Sequence, residues 1–339
     1  GSFVSAEGLI VTNHHCVFGA VAGLSTKDND YLENGFFASD KTKELKTSLT
    51  CKITKSYEDV SIKILDGVNL NMDPMVKKEI IRKNIETLQK LEQAKYPELS
   101  IEISEMFVGY SYTLFRYQLL KDVRLAYVPP RTIGEFGGET DNWEWPRHTG
   151  DFSMFRVYSD ANGNPAEYST ANIPLKPKWY LPVSLKPLKD GDFAMIWGYP
   201  GSTNRYESSY GIRLATDISN PTLVSLRDAR LKFMFEEMKK DPAVKLQLAS
   251  SYASIANYWK FFDGETKQLL KYDVYGQKKK FEAGFTQWAK GKPEYENLFS
   301  DWSKAYDAWR PYAKHQMYMR EGVLGSPLIA FAGSLLQLE

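Results

Sequence analysis

The 339 residues exceed the usual size of one compact core, which predicts two domains or one domain with a large insertion. Lysine plus arginine (43) nearly balances aspartate plus glutamate (42), so composition argues against a dedicated nucleic-acid surface or a polybasic membrane patch. No apolar stretch reaches the roughly 18 residues that cross a bilayer, and no charged-then-apolar signal segment opens the sequence.

The first three-fifths reads mainly as strands. Phe3-Val4-Ser5, a turn at Ala6-Glu7-Gly8, and Leu9-Ile10-Val11-Thr12 form a hairpin signature that runs into "TNHHC", residues 12–16. Asp73 ahead of Pro74, with Val76, Ile80, Leu88 and Leu91 at helical spacing, predicts a helical insertion near 73–95. Leu99, Ile101 and Ile103 then alternate with Ser100, Glu102 and Ser104, the period-two pattern of a half-buried strand. Residues 121–128, 151–158 and 192–197 are further strand candidates. Past about residue 205 the character changes: Asn220-Pro221 and Asp241-Pro242 repeat a cap-plus-proline helix start, and no glycine occurs between Gly211 and Gly264. Segments 277–290 and 294–320 continue in helical style. The expected fold class is mixed α+β, with a β lobe over 1–204 and a helical domain over 205–339.

Two stretches carry chemistry. In the first, His14 and His15 stand directly before Cys16, in a chain with four histidines. A zinc site needs four ligands at recognisable spacing, and the chain offers neither Cys-x-x-Cys nor His-x-x-x-His, so no metal is expected. A cysteine nucleophile beside its histidine is disfavoured if both lie on a strand, where neighbours point to opposite faces. A general base at the end of a strand in a serine-type hydrolase fits better, and it requires an orienting carboxylate. The plainer alternative is a pair of surface or core-edge histidines. The second stretch, residues 137–158, runs from a glycine-rich aromatic loop into an apolar strand opened by Asp151, well placed to reach a histidine on a neighbouring strand; a simple turn aspartate is the bland alternative. The two cysteines, Cys16 and Cys51, permit one bridge.

Together "GLIVTNHHC" (8–16) and "DNWEWPRHTGDFSMFRVY" (141–158) resemble the paired signatures of the bacterial dipeptidyl-peptidase 7/11 family, serine exopeptidases with a chymotrypsin-like double barrel and an inserted helical domain. The resemblance extends to "GYPGSTNRY" (198–206) and "ASSYASIANYWK" (249–260). It implies His15, which adjoins Cys16 as in the Thr-x-x-His-Cys motif of trypsin-like enzymes, as general base, with His14 its structural neighbour. Asp151 is the implied orienting carboxylate and Asp141 its weaker rival. Asn142, Trp143 and Asn257 match the positions that hold the free amino terminus of a peptide. Amide oxygens suit an α-ammonium because they accept hydrogen bonds without adding a second buried charge.

No Gly-x-Ser-Gly stretch occurs, and Gly325-Ser326-Pro327, in an apolar helical run, is no substitute. The resemblance therefore implies an N-terminal portion: first barrel lobe and helical domain covering the cleft, with the nucleophilic serine in a second barrel lobe absent from this chain, which alone is expected to be inactive. The residue that selects the side chain next to the cut belongs to that lobe by the same implication, with hydrophobic or broad selectivity expected. The family also implies a periplasmic location in a Gram-negative bacterium, a homodimer, and a disulfide at Cys16 to Cys51 or to an upstream cysteine. Two other classes remain: a trypsin-like endopeptidase with an open cleft, and a non-catalytic peptide-binding homologue. No cofactor is expected, since there is no Gly-x-Gly-x-x-G or phosphate loop.

Overall fold

The computed structural model describes residues 1–69, 72–195 and 203–335 and contains both helices and strands. It gathers into two units: Gly1–Thr26, Asp30–Gly134 and Gly150–Leu185 in the first, and Lys27–Asn29, Glu135–Thr149 and Lys186–Glu339 in the second. Relative to a division at 204/205, the loop 135–149 and the stretch from 186 onward group with the helices. Hydrogen bonds explain the loop's allegiance, because Lys260 on a helix of the second unit donates to the carbonyls of Glu139 and Thr140.

In the first unit the strands are β1 (Ser2–Phe3), β2 (Leu9–Thr12), β3 (Phe36–Phe37), β4 (Leu45–Lys46), β5 (Cys51–Asp59), β6 (Ser100–Met106), β7 (Ser111–Leu120), β8 (Asp122–Val128), β9 (Ser153–Ser159) and β10 (Ile173–Pro174). One antiparallel sheet runs β1-β2-β9-β8-β3, with β10 beside β9 and β4 beside β8. Flanked on both sides, β8 and β9 bury Val123, Leu125, Val128, Phe155 and Val157, which form the core under the site. Gly8, in the β1–β2 turn, has φ +68°, and a Cβ there would meet the carbonyl oxygen of Val157 at 2.6 Å, so the expected hairpin closes only with glycine.

A second sheet, β5-β7-β6, is covered by the helix Pro74–Lys95. Asp73 caps that helix by accepting from the backbone N–H groups of Met75 and Val76. The face it buries differs from the expected one: Ile81, Ile85 and Leu88 pack on Val60, Ile64, Ile101, Tyr112 and Leu114, whereas Val76 and Leu91 are exposed. The inward stripe follows i, i+4, i+7 from Ile81, and Arg116 on β7 fastens it by ion-pairing with Glu92 at 2.6 Å. The strand expected over 192–197 is not formed in its described part, to Met195, and residues 196 and 197 lie outside the described residues, as do 198–202 of the "GYPGSTNRY" motif.

The second unit is helical, with long helices at Asn220–Lys240, Pro242–Lys271, Val274–Ala289 and Leu298–Met317. Asp241 caps the second as expected, accepting from Ala243 N–H. Asn220-Pro221 does not start a helix. Ser209–Leu214 continues through a π-helical turn, Ala215–Ser219, into Asn220, which is itself helical, and whose side chain donates to Glu265. Proline has no N–H for the i→i−4 ladder and its ring crowds that carbonyl; the wider π turn just before it accommodates both defects.

Candidate active site

The antiparallel register sets the first cluster. Leu9 to Thr12 pair with Arg156 to Ser153, so the residues leaving β2 emerge beside those entering β9. Asn13 ends the extended run and the chain turns at once into helix α1 (His14–Leu24), which buries Val17, Phe18 and Val21. The histidines are therefore the first helical residues and not the end of a strand, and Asp151 stands two residues ahead of β9. The strand-based argument against contact between His15 and Cys16 falls with this, since Cys16 Sγ lies 3.5 Å from His15 Nε2.

Asp151 and His15 meet twice. His15 Nδ1 is 2.6 Å from Asp151 Oδ2, and the His15 backbone N–H donates to Oδ1 at 3.0 Å. A carboxylate only accepts, so the proton of a neutral His15 sits on Nδ1 and leaves a lone pair on Nε2. The imidazole is exposed (68%), open to a reacting group. Burial pushes the Asp151 carboxyl up, but the hydrogen bonds from the His15 ring and backbone, its charge and the Asn13 amide outweigh it and hold the group at about 2. The aspartate is thus fully ionised wherever the histidine titrates.

His14 is fully buried, edge-on to Phe18, with Gly134 so close that a Cβ there would meet its ring at 2.6 Å. Cys16 is exposed, Cys51 is half-buried with its thiol pushed up by burial, and both are free, so the Cys16–Cys51 bridge is not formed. Asp141, the rival carboxylate, lies in the second unit against Gly137.

The second cluster brings Asn142, Trp143 and Asn257 together within the helical unit. Asn257 Oδ1 accepts from Asn142 Nδ2 at 3.1 Å and from Trp143 Nε1 at 3.0 Å, and Arg147 donates to Asn142 Oδ1 at 2.9 Å. Guanidinium and indole can only donate, so they fix which end of each amide is oxygen. Trp143 holds φ +61°, which costs an aromatic residue about 1–3 kcal/mol, and its ring lies on Phe261 at 5.2 Å. Both lone pairs of Asn257 Oδ1 are thereby occupied. The acceptor capacity left in the cluster is one lone pair of Asn142 Oδ1 and the carboxylate of Glu139, which takes a longer bond from Asn142 Nδ2 at 3.4 Å. Burial pushes the Glu139 carboxyl up, and the Asn142 amide partly offsets this.

Sequence reasoning missed Asn13, Glu139 and Arg147. Asn13 stood inside the quoted "TNHHC", an N-cap residue type directly before the histidines, which is a helix-start signal. Arg147 and Glu139 carried no local signal, since their roles depend on residue 257 and on the loop's path. Among the described residues, no group of three or more His, Cys, Asp or Glu side chains is placed to hold a metal ion.

The pattern of the peptidase S46 family matches residues 1–339. The chain is 43% identical over 99% of its length to an Asp/Glu-specific dipeptidyl-peptidase of Flavobacterium psychrophilum, covering 48% of that protein. It is 41% identical over 94% of its length to a dipeptidyl-peptidase 7 of Capnocytophaga gingivalis, covering 45% of it. The crystal structure of Porphyromonas endodontalis DPP11 in complex with the dipeptide Arg-Glu superposes with a TM-score of 0.87 at 33% identity, over 95% of this chain and 47% of that one. The chain spans about half the length of the relatives it matches.

Proposed function

The chain belongs to the peptidase S46 family, and from that premise we propose that it supplies the proton-transfer pair and the amino-terminus receptor of a serine-type dipeptidyl-peptidase. The observation that carries the reading is the double contact between Asp151 and His15, with Nδ1 held at 2.6 Å and the basic lone pair thereby placed on Nε2, beside Cys16 Sγ at 3.5 Å. In this reading a serine hydroxyl gives its proton to His15 Nε2 as it attacks the carbonyl after the second residue of a peptide. His15 then passes that proton to the leaving amine, the dipeptide remains as an acyl-enzyme, and water releases it by the same two proton transfers. Asp151 keeps the ring in the productive tautomer and stabilises the imidazolium in between. The fold of the first unit serves as one lobe of a chymotrypsin-like barrel, and the serine comes from the part of the family's length that this chain does not span.

The amide–indole cluster receives the substrate's α-ammonium. Asn142 Oδ1 and Glu139 are the acceptors with capacity to spare, and Asn257 holds Asn142 and Trp143 in place. A free amino terminus then becomes a requirement, which makes the activity exopeptidase. A periplasmic location and a homodimer complete the proposal.

The test uses a polypeptide carrying this chain together with the rest of the family's length. Dipeptide release is measured from a peptide with a free amino terminus and from its acetylated twin, with His15→Ala as control. Release from the free peptide only, reduced about 10⁴- to 10⁶-fold by the substitution, is expected. Equal cleavage of both peptides would mean an endopeptidase; no cleavage dependent on His15 would leave a peptide-binding protein.

A further inference from the structure

Asn13 occupies the N-cap of α1 with extended dihedrals (φ −73°, ψ 145°), yet its side chain makes no capping hydrogen bond. An asparagine in this position ordinarily turns its side-chain oxygen back to the N–H of the second or third helical residue. Here the side chain points elsewhere: Nδ2 donates to Asp151 Oδ2 at 3.1 Å and to the Asp151 carbonyl at 3.3 Å. The N–H it would have capped, that of His15, is taken by Asp151 Oδ1 at 3.0 Å. The two residues have exchanged tasks. Asp151, from the neighbouring strand's approach, caps the helix, and the N-cap residue holds Asp151.

The exchange has a consequence for the carboxylate. Oδ2 divides its lone pairs between Asn13 and the His15 ring, while Oδ1 is pinned by the His15 backbone. Rotation of the carboxylate would break three hydrogen bonds together. Without Asn13, Oδ2 faces His15 alone, free to swing and with its charge undivided. A more basic acceptor on Nδ1 holds the imidazolium more tightly and makes it a poorer acid toward the leaving amine.

We infer that Asn13 is a positioning residue for the proton transfer, orienting the Asp151 carboxylate toward His15 and dividing its charge. The inference rests on the reading of His15 and Asp151 as base and orienting carboxylate. It differs from a purely structural role in a way that substitution exposes, because serine and aspartate are both good N-caps. Asn13→Ser and Asn13→Asp keep a helix start but remove the amide donor, and aspartate also sets a second negative charge beside the first.

The first measurement uses this chain itself: titration of the His15 ring by ¹H–¹⁵N correlation in the wild type, Asn13→Ser and Asn13→Asp. The midpoint is expected to move to higher pH in both, by about half a unit or more for Asn13→Asp, since added negative charge favours the imidazolium. The second uses the longer polypeptide with the rest of the family's length. There kcat is expected to fall about tenfold in both variants with KM within about twofold, the acid limb of the rate profile moving the same way as the ring titration and the thermal midpoint unchanged. An unshifted His15 midpoint with unchanged kcat in both variants overturns the role of Asn13 and leaves the pair intact, provided His15→Ala is inactive. Active His15→Ala overturns the reading of the pair and the role of Asn13 with it. A loss of rate that tracks a fall in thermal midpoint, with the ring titration unmoved, assigns Asn13 to the helix end instead.

Discussion

The pair in the first unit and the cluster in the second hold their side chains by different means. His15 and Asp151 are fixed by a β-ladder and a helix start, both encoded within a few residues of each partner, and the link between them carries charge. Asn142, Trp143 and Asn257 are fixed across 115 residues of sequence by neutral amide and indole bonds, with an arginine ordering the amides from outside. The difference follows the tasks proposed for them. A proton relay must change charge and needs a permanent counter-charge, whereas the receptor proposed for an ammonium needs its acceptors held in place, which neutral bonds do while leaving Asn142 Oδ1 and Glu139 to accept.

The sharpest way to break this comparison is Asp151→Asn. An amide accepts from only one end, so Nδ1 can lose its acceptor and the ring its tautomer; kcat is expected to fall about 10⁴-fold for every peptide while KM changes little. Steady-state kinetics on the longer polypeptide checks it, and a loss confined to KM would remove Asp151 from the chemistry. Asn257→Ala should show the opposite signature. It removes the acceptor shared by Asn142 Nδ2 and Trp143 Nε1, leaving the indole only the backbone carbonyl of residue 257 and the amide only its longer bond to Glu139, and the expected cost is a rise in KM of about 10-fold for free-amino peptides with kcat falling less. If Asn257→Ala instead lowered kcat alike for all substrates, the cluster would belong to the reaction and not to recognition.

The contrast also explains what could be read from the sequence. The hairpin, the strand at Ile101 and Ile103, the Asp73-Pro74 helix start and the shift to helices all showed as local patterns, because each element's stabilising contacts repeat at its own period. Helix α1 did not show. Its histidines prolong the apolar strand before them, and its helical spacing of Val17 and Val21 is brief. Asn220-Pro221 gave a start signal that the chain overrode, since the preceding turn could widen. Asp151 and a histidine of the 14–15 pair stood out in the sequence as an acidic residue opening an apolar strand and a base candidate after another, whereas the choice of His15 and the assignment of Asn142, Trp143 and Asn257 came from resemblance to a family. Their partners Asn13, Glu139 and Arg147 are legible only once the backbone brings them to Asp151 and Asn142.

The smallest predicted effect separates the units by the sign of their response to acid. Asp151 is held at about 2, below the usual 3.8 of a solvated aspartate, so it binds its proton less tightly folded than unfolded. Its contribution to stability is complete above about pH 4 and is lost as pH falls toward 2. With the His15 side chain open to solvent, screening reduces that contribution to about 1 kcal/mol. Glu139 is displaced the other way by burial, so it binds its proton more tightly folded, opposes folding at neutral pH, and ceases to do so once protonated. Thermal melts from pH 7 to pH 2 should therefore show Asp151→Asn below the wild type by roughly 2 °C at pH 7 and converging with it near pH 2. Glu139→Gln should lie slightly above the wild type at pH 7, and that advantage should also vanish in acid. Two differences of opposite sign, the Glu139 one closing first as pH falls and the Asp151 one only in stronger acid, would show that the charged pair stabilises its unit while the carboxylate beside the neutral cluster opposes folding of its own. A Glu139→Gln protein less stable than the wild type at pH 7 would mean that the carboxylate is already paired, and the ammonium would then have only Asn142 Oδ1 to meet.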